Sequence, residues 1–476
     1  MNKRLMTTLG AALALLMGVG AAQAATFTVT TTADSGAGSL RDAITQANAT
    51  PGADTIVFDA VIGSGTIVLG STLPFITEAL TIDGAGRSIT ISGNNAVQVM
   101  DNQSTLTLNA LTIANGGCPL FGCSIGGAGV YSPGGTLTVT NSTFSGNAAG
   151  RENGGAIYGG GTLTISNSTF SGNAAGLAGA VFWQGSNSRL TVTNSTFFNN
   201  SASVGGGAGG ALFVLHALAT VTHSTFSGNT AGLGGGAIFV GDGGTITLAN
   251  SIVAGGGAGG NCFNPSGTLA DLGGNLSDDA TCGFTQATSL SNTDPQLGPL
   301  QDNGGPTQTT APMTGSPAID QGVNALAVDA NNQPLSTDQR GTGFARISGS
   351  TVDRGAFEVQ VPAASPLTVT PSSVSFGTVH RFSLRSRLLT LMNNGSTAVT
   401  LSPVSVTPAP GTTAGEFSAL SLCPRTLAAG KSCTVKVVLF AFELGARSAK
   451  LTIPSSASAS PLTVPLGVTV TRLLGN

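Results

Sequence analysis

The sequence predicts an all-β protein in which a right-handed parallel β-helix is followed by a β-sandwich. The first observation is a phrase, NSTFSGN at 141–147, that returns unchanged at 167–173 and slightly altered at 194–200 and 223–229. The second is composition: 70 glycines, 41% hydrophobic residues and only 8% charged residues. There is no Gly-X-Y period, which excludes collagen, and the hydrophobic content excludes disorder of the whole chain.

The third observation is a change of charge along the chain. Residues 25–365 carry 19 acidic and 7 basic side chains, whereas residues 366–476 carry 2 acidic and 9 basic ones. The two segments are therefore predicted to be different modules. The charge of the second one indicates either a solvated basic surface or a module that docks on an anionic surface.

Residues 1–24 are predicted to be a signal peptide. Lys3 and Arg4 precede an apolar stretch, and Ala22-Gln23-Ala24 is a cleavage site before Ala25. No later apolar run is long enough to span a bilayer. The mature chain is expected to be secreted or held at the cell surface, as the bacterial type of leader indicates.

The β-helix is expected to span residues 25–360. Its N-terminal cap is expected to comprise residues 38–52. In that cap Ser39 is positioned as a helix N-cap with Asp42 three residues on, and Pro51-Gly52 ends the helix. Such a cap covers the open end of a solenoid. Its apolar face comprises Leu40, Ala43, Ile44 and Ala47.

Each repeat is predicted to form one coil of three short strands. Leu137 and Val139 alternate with Thr138 as a strand requires, but Phe144 lies at an odd offset, so the strand must bend between them. A third strand follows a glycine-led phrase such as GGAIY at 154–158. Stacked coils then place identical residues in ladders about 4.8 Å apart.

Three ladders follow from this register. The bend residues are polar and tolerate a left-handed backbone: Asn141, Asn167, Asn194 and His223. The inward-facing aromatic rungs are Phe144, Phe170, Phe197 and Phe226. A second stack of asparagines comprises Asn147, Asn173, Asn200 and Asn229.

The six cysteines form three close pairs along the chain. In an oxidising compartment these are expected to be local disulfides, and the absence of neighbouring histidines argues against zinc. The pairs are Cys118/Cys123, Cys262/Cys282 and Cys423/Cys433.

Several motifs resemble known families of exported β-helix proteins. The phrase at 38–52 is similar to CSLREA-type N-terminal regions, and the GGA-I and F-x-x-N phrases resemble repeats of polymorphic outer-membrane proteins. DPQLGPLQDNGGPTQTTAPMTGSPAIDQG (294–322), DQRG (338–341) and DRGAFE (353–358) resemble the choice-of-anchor Q domain, over residues 250–360.

After a linker at 361–366, residues 367–476 read as short alternating strands separated by turn signals. This pattern predicts a seven- or eight-stranded β-sandwich. The segment resembles the immunoglobulin-like choice-of-anchor D family, and the resemblance implies that Cys423 and Cys433 bridge a loop.

Parallel β-helices include pectate lyases and other polysaccharide enzymes, which need paired carboxylates or a calcium cluster. Between residues 106 and 253 the only acids are Glu152 and Asp242, far apart in the repeat. The adjacent Asp278 and Asp279 are interpreted as turn residues. Four further acids are interpreted as turn residues of a C-terminal cap, with a structural calcium site as the alternative: Asp294, Asp320, Asp338 and Asp353.

The sequence therefore predicts a non-enzymatic, adhesin-like scaffold with no catalytic residues, no metal site and no cofactor. Its expected partner is a glycan or a cell-envelope component, although no aromatic binding strip is predicted. Trp183 either fills space or stacks on a sugar. The alternative function is that of a polysaccharide lyase or glycoside hydrolase of the pectate-lyase-like class.

Overall fold

A computed structural model describes residues 24–118, 126–202, 206–329, 331–360, 366–395, 397–457 and 460–472. The predicted signal peptide, except for Ala24, lies outside these residues, as does the linker except for Pro366. The chain divides into two compact units, Met1–Gln360 and Val361–Asn476. Each unit is described by itself.

Three parallel sheets build the first unit, which confirms the predicted β-helix. We call the ten-stranded one the threonine sheet, for the residues on its outer face. Neighbouring strands in it come from successive coils, so each residue lies beside its equivalent in the next coil. Its strands are Thr26–Val29, Asp54–Phe58, Leu80–Asp83, Thr105–Asn109, Thr136–Thr140, Thr162–Ser166, Arg189–Thr193, Leu218–Thr222, Thr245–Ala249 and Thr268–Gly273.

The second sheet follows the bend and carries the phenylalanine ladder, and the third follows the glycine-led corner. The strands of this phenylalanine sheet are Ser64–Val68, Ser88–Ser92, Leu111–Ala114, Thr143–Ser145, Thr169–Ser171, Thr196–Phe198, Thr225–Ser227, Ile252–Ala254 and Leu276–Ser277. Those of the third sheet are Met100–Asp101, Val130–Ser132, Ile157–Gly159, Val181–Gln184, Leu212–Leu215, Ile238–Val240 and Cys262–Phe263.

Shorter elements complete this unit. A three-stranded parallel sheet contains Ala174–Ala175, Ser201–Ala202 and Thr230–Ala231, and Leu297–Gln301 pairs with Thr309–Pro312 in an antiparallel hairpin. Three 3-10 turns span Ala60–Ile62, Gly257–Gly259 and Asn324–Leu326.

The helix Leu40–Ala49 lies at the N-terminal end and buries its apolar face against the first strands. The Ser39 hydroxyl accepts from the Asp42 amide, and the Asp42 carboxylate accepts from the Gly38 amide at 3.1 Å. Side chains therefore satisfy one of the free amides at the helix start and the amide of the residue before the N-cap.

The bend between the first two sheets has the left-handed backbone that the repeat requires. Asn141, Asn167, Asn194 and His223 have φ values of 49°, 50°, 46° and 46°. Because this turn reverses the side-chain alternation, the next phenylalanine points inward. Phe144, Phe170, Phe197 and Phe226 stack with centroids 4.7–4.9 Å apart and are fully buried.

The second asparagine of each repeat forms a continuous buried amide ladder. The Asn147 Nδ2 donates to Asn173 Oδ1 at 2.9 Å, Asn173 Nδ2 to Asn200 Oδ1 at 2.8 Å, and Asn200 Nδ2 to Asn229 Oδ1 at 2.9 Å. The same oxygens also accept backbone amides from the coil below, as at Asn147 N and Asn173 Oδ1 (3.1 Å). The ladder thus provides hydrogen-bond partners for the backbone of the turn that follows each phenylalanine strand, where no neighbouring strand provides them.

A serine ladder next to the bend was not foreseen from the sequence. Each serine hydroxyl donates to the carbonyl two residues earlier and accepts an amide of the preceding coil, from Leu111 at Ser142 and from the preceding serine at the others, as from Ser142 N to Ser168 Oγ at 3.2 Å. All its members are fully buried. They are Ser142, Ser168, Ser195, Ser224 and Ser251.

The disulfides that the structure describes close two local loops. Cys262 is bonded to Cys282 at a sequence separation of 20, and Cys423 to Cys433 at a separation of 10. Cys123, the predicted partner of Cys118, lies outside the described residues.

The second unit contains two four-stranded sheets, which agrees with the predicted β-sandwich. The front sheet has the order Leu367–Thr370, Leu384–Asn393, Ser432–Phe440, Phe417–Ser421, and the back sheet the order Val374–His380, Leu462–Thr471, Gly445–Ile453, Ser405–Pro408. A short pair, Val399–Thr400 with Thr426–Leu427, completes it. Buried aliphatic and aromatic residues of both sheets form one core.

Candidate functional site

The outer face of the threonine sheet carries one threonine from each of nine coils in strict register. Strand alternation points the flanking leucines, isoleucines and valines inward and these hydroxyls outward. With about 4.8 Å between neighbouring strands, the row extends over about 38 Å. Its members are Thr26, Thr55, Thr81, Thr107, Thr138, Thr164, Thr191, Thr220 and Thr247.

Two flanking rows extend this face along the strands. One contains Thr136 and Thr162, and the other contains Thr140, Ser166 and Thr193. The second row is linked between coils by side-chain hydrogen bonds, including one from Thr140 Oγ1 to Asn109 Oδ1 at 2.9 Å. The face is therefore a grid of hydroxyl and methyl groups with few charges.

A wall formed by residues 326–329 and 331–337 converts part of this face into a groove. Two adjoining cavities of about 370 and 400 Å³ lie between the wall and five strands of the sheet, and Thr191 and Asp329 line both. The remaining lining is mainly polar, with an apolar patch of leucines. It includes Thr164, Ser166, Asn167, Arg189, Thr193, Asn194, Leu218, Thr220, Leu272, Leu326, Ser336 and Thr337.

Bend residues position the wall and the residues just before it, a role that the sequence did not reveal; they include Asn250, whose φ of 47° matches the other bends. Asn194 Nδ2 donates to the Thr337 carbonyl at 2.9 Å. Asn250 Nδ2 donates to the Val323 carbonyl at 2.9 Å, and Asn250 Oδ1 accepts the Val323 amide at 2.7 Å. Residues that shape the repeat therefore also position a segment that lies far along the chain.

The wall belongs to a segment whose position differs from the sequence prediction. Asp294, Asp320, Asp338 and Asp353 were interpreted as residues of a C-terminal cap, but residues 307–356, which contain three of them, lie along the side of earlier coils. Thr307 Oγ1 donates to the Asn167 carbonyl at 3.1 Å, and the Ala356 amide donates to Thr225 Oγ1 at 2.9 Å. Thr225 and Thr169, each the first residue of a strand in the phenylalanine sheet, bond to this segment, Thr169 Oγ1 by donating to the Gln308 carbonyl at 2.6 Å, so the segment is held against these strands.

Gln339 of the DQRG motif fixes this lateral packing. Its side-chain oxygen accepts from Thr196 Oγ1 at 2.6 Å, and its amide nitrogen donates to Thr169 Oγ1 and Thr307 Oγ1, both at 2.9 Å. The glutamine is fully buried. It therefore joins two coils of the helix to the segment that bears the wall.

The acidic residues of the DQRG and DRGAFE motifs form a buried ionic network in the segment that bears the wall. Arg346 is paired with Glu358 at 2.8 Å, and Arg340 with Asp338 at 2.6 Å. Burial raises the pKa of Glu358 to about 7, although the Arg346 charge acts in the opposite direction. Burial also raises the pKa of Asp353. These carboxylates satisfy backbone amides and arginines, and they are closed to a substrate.

Asp294 and Asp320 take local structural positions. Asp294 Oδ1 accepts the amide of Gln296 at 2.8 Å, and the Asp320 amide donates to Asp353 Oδ1 at 2.7 Å. The structure thus brings Asp320, Asp338 and Asp353 into the folded-back segment, with Asp294 in a separate turn.

The pair Asp278 and Asp279 lies in a hydrogen-bonded turn. Asp279 accepts the Thr281 amide at 2.9 Å and the Asn261 amide at 2.8 Å. Partial burial would raise the pKa of Asp279, but the Thr281 hydroxyl and these amides outweigh it and lower the pKa. Across the described ranges, no group of three or more His, Cys, Asp or Glu side chains is placed to hold a metal ion.

His223 takes the place of a bend asparagine and is fully buried. Its Nε2 lies 3.1 Å from Asn250 Nδ2. Burial and the nearby Arg346 charge lower the pKa of His223 well below its usual range. The imidazole is therefore neutral and part of the bend ladder.

The sequence showed no aromatic binding strip, but the outer face of the third sheet carries a row of aromatic rings. Outward-facing rings of the third sheet stack with centroids 4.4–5.8 Å apart. Because each ring covers its neighbour, only edges remain accessible until the end ring, Phe263, which is 43% exposed. Trp183 points inward and is fully buried, so it fills space. The stack comprises Tyr131, Tyr158, Phe182, Phe213, Phe239 and Phe263.

The family comparison agrees with this architecture. Residues 78–253 match the family model of the right-handed β-helix region. A comparison with curated proteins found no match. Among the residues that the structure describes, no helix combines the length and apolar character needed to cross a membrane.

Solved structures show only partial similarity to the chain. The secreted serine protease VesC from Vibrio cholerae is 25% identical over 20% of this chain and 21% of that one, with a TM-score of 0.18. The Vibrio cholerae VesB protease is 18% identical over 22% and 31%, with a TM-score of 0.18. A PapD-like domain of human CEP192 is 16% identical over 27% of this chain and 98% of that domain, with a TM-score of 0.20. The chain thus covers less than a third of either protease.

Proposed function

We propose that the protein is a secreted or cell-surface, non-enzymatic scaffold that binds an extended glycan of the cell envelope or of a host surface. The observation that carries the proposal is the groove over the central threonine row, closed on one side by the wall. Resemblance to choice-of-anchor Q domains and, for the sandwich, to the immunoglobulin-like choice-of-anchor D family supports placement at the envelope, as does the predicted signal peptide. The two disulfides fit an extracellular protein.

The chemistry of the groove suits a sugar polymer. The hydroxyl groups of Thr164, Thr191 and Thr220 can both donate and accept hydrogen bonds, and they sit on neighbouring strands that keep their spacing rigid. Leu218 and Leu326 provide apolar contact for the C–H faces of sugar rings. A polymer with regularly repeated hydroxyls can therefore follow the coil repeat of the sheet.

The composition of the groove favours binding over catalysis. Asp329 is the carboxylate that lines both cavities, and its Oδ1 accepts the Asn331 and Gln333 amides of its own turn, both at 2.8 Å. Glycoside hydrolysis uses two carboxylates facing each other across the sugar. Among the residues that line the two cavities there is one carboxylate, and it is already hydrogen-bonded within its own turn. A second carboxylate, which hydrolysis would need, is replaced by hydroxyl groups.

The test is a glycan array probed with the mature chain, followed by affinity measurement on any retained glycan. Thr191→Lys places a long charged side chain in the groove and should weaken binding about tenfold or more, a loss of about 1.4 kcal/mol. The matched control is Thr107→Lys, in the same row but outside the cavities, and it should bind like the native protein.

Three outcomes would overturn the proposal. Retention of no glycan would leave a purely structural role, and equal binding by both variants would place the site elsewhere. Release of reducing or unsaturated ends from polygalacturonate or alginate would show that the protein is a polysaccharide hydrolase or lyase.

A further inference from the structure

A second row of threonines follows the outer face of the phenylalanine sheet. Each of these threonines lies next to a buried inward-facing residue, so strand alternation points its hydroxyl outward. The parallel register places them side by side on seven successive strands. We call them the second threonine row, which comprises Thr66, Thr90, Thr112, Thr143, Thr169, Thr196 and Thr225.

Polypeptide covers the last three members of this row. They are buried beneath residues 307–356, and each bonds to a group of that segment. Thr169 Oγ1 donates to the Gln308 carbonyl at 2.6 Å, and Thr225 Oγ1 accepts the Ala356 amide at 2.9 Å. The hydroxyls of the row therefore bind both the carbonyl and the amide groups of a polypeptide main chain.

The first four members of the row are uncovered, and two of them line a cavity of about 540 Å³. The two are Thr112 and Thr143, and Pro306, which precedes the covering segment, lines the cavity as well. Within the described ranges, the hydroxyls of these four threonines have no hydrogen-bond partner. The cavity spans four coils, or about 14 Å at about 4.8 Å per coil, which accommodates about four residues of an extended peptide.

An arginine without an acidic partner lines the same cavity. Arg87 Nη1 donates to the Gly86 carbonyl at 2.8 Å, and Arg87 Nε is buried without a hydrogen-bond partner. Among the residues that the structure describes, no carboxylate lies within ion-pair distance of this guanidinium. Asp83 in the preceding turn and Asp59 next to a lining residue accept amides of their own turns, at 2.9 and 2.8 Å. The charge of Arg87 is therefore uncompensated, and a carboxylate is the group that its planar fork of donors fits.

We propose that this cavity binds an extended peptide that carries a carboxylate. The covered part of the second threonine row indicates a polypeptide, because the same hydroxyls continue in register from Thr169 to Thr143 and Thr112. Arg87 indicates the carboxylate, which is that of an acidic side chain or of a C-terminus. The cavity lies on the phenylalanine sheet, so the proposal does not rest on the glycan groove over the threonine sheet.

A peptide array probed with the whole mature chain tests the proposal. One set of random hexapeptides contains Asp or Glu, and its matched set contains Asn or Gln at the same positions. Two further sets have neutral side chains and either a free or an amidated C-terminus, which separates the two sources of the carboxylate. The native protein should retain peptides with a carboxylate about tenfold better than the matched amides.

Three variants measure the contributions to binding of the best retained peptide by fluorescence polarisation. Arg87→Gln should weaken binding of the carboxylate peptide about tenfold and leave binding of its amide form unchanged. Arg87→Lys keeps the charge and should recover part of the loss. Thr143→Val keeps the shape of the side chain but removes the hydroxyl, and it should weaken binding of both peptide forms about threefold.

Control variants make the same changes elsewhere in the unit. Arg151→Gln alters an exposed arginine in a turn, and Thr107→Val alters a threonine of the threonine sheet. Both should bind the peptide like the native protein, and so should Thr191→Lys, which lies in the glycan groove. Thermal unfolding followed by circular dichroism verifies that each variant is folded.

Several results would overturn the proposal. They are failure of the native protein to retain any peptide, equal retention of the carboxylate and amide forms, and equal losses in Arg87→Gln and Arg151→Gln. Polygalacturonate that binds to the native protein, displaces the peptide and is lost in Arg87→Gln would show that the cavity takes an acidic glycan instead. Loss of peptide binding in Thr191→Lys would place the peptide in the groove.

Discussion

Replacing Asn173 by alanine removes one rung of the buried amide ladder. Asn173 Oδ1 accepts from the amide and the side chain of Asn147, at 3.1 and 2.9 Å. Its Nδ2 donates to the Phe144 carbonyl at 3.0 Å and to Asn200 Oδ1 at 2.8 Å. The substitution therefore leaves polar groups of three neighbouring residues without this partner in a fully buried site.

The expected loss of stability follows from these four hydrogen bonds. A buried hydrogen bond contributes about 1 kcal/mol, and a buried polar group left unsatisfied costs about 1–3 kcal/mol. We therefore expect Asn173→Ala to lower the free energy of unfolding of the β-helix by about 4 kcal/mol. That is a large share of the total stability of a typical domain, about 5–15 kcal/mol.

The assay is urea unfolding followed by tryptophan fluorescence. Trp183 is the single tryptophan of the chain and is fully buried inside the β-helix, so its emission reports on this unit. Asn187→Ala, an exposed turn residue close to Trp183, is the control and should change the unfolding free energy by less than about 0.5 kcal/mol. A loss below about 1 kcal/mol for Asn173→Ala would refute the reasoning, because it would mean that the ladder amides are replaced at little cost.

Three further predictions concern the same unit. Glu358→Leu leaves the buried Arg346 charge without its carboxylate partner and should lower the free energy of unfolding in urea by about 3–5 kcal/mol. The double variant with Arg346→Met should recover most of that loss. The pKa of His223 is lowered by burial, so below about pH 6.5 only the unfolded chain gains this proton, which should lower stability by up to about 1.4 kcal/mol per pH unit. Glu358, whose pKa burial raises to about 7, acts in the opposite direction over the same range, so the histidine contribution is measured as the difference in pH slope between the native protein and His223→Asn. Replacing Cys262 and Cys282 by alanine opens a loop of separation 20 and should cost about 3 kcal/mol.

Each of these has a contradicting result. A double variant as unstable as Glu358→Leu would show that packing, not the lone charge, sets the cost. An unchanged pH slope in His223→Asn would assign it to other groups, and a native-like midpoint without the disulfide would show that packing alone fixes that loop.

The repeat allowed the inward residues to be predicted because they depend on local periodicity. Phe144 and Leu137 recur at constant spacing, and the bend at Asn141 follows from the odd offset between Val139 and Phe144. The serine ladder was missed although Ser142 recurs just as regularly. Its direction depends on the left-handed turn before it, which strand alternation does not describe.

The groove and the aromatic stack could not be predicted in this way. The groove needs the contact between Asn194 and Thr337, which are 143 residues apart along the chain. The aromatic stack uses tyrosine in two coils and phenylalanine in four, and the sequence does not show which face of a three-residue strand is covered. Both depend on which surfaces meet after the chain folds back.

What the sequence determined by itself is the parallel β-helix, because a repeat of about 26–29 residues forces equivalent side chains into the same place in every coil. The tertiary structure decided where residues 307–356 lie, and with them the groove. Those residues carry no repeat, and their position depends on hydrogen bonds between Gln339 and threonines about 140–170 residues earlier. Periodicity specifies local geometry, whereas a non-repeating segment is placed only by the partners that it meets.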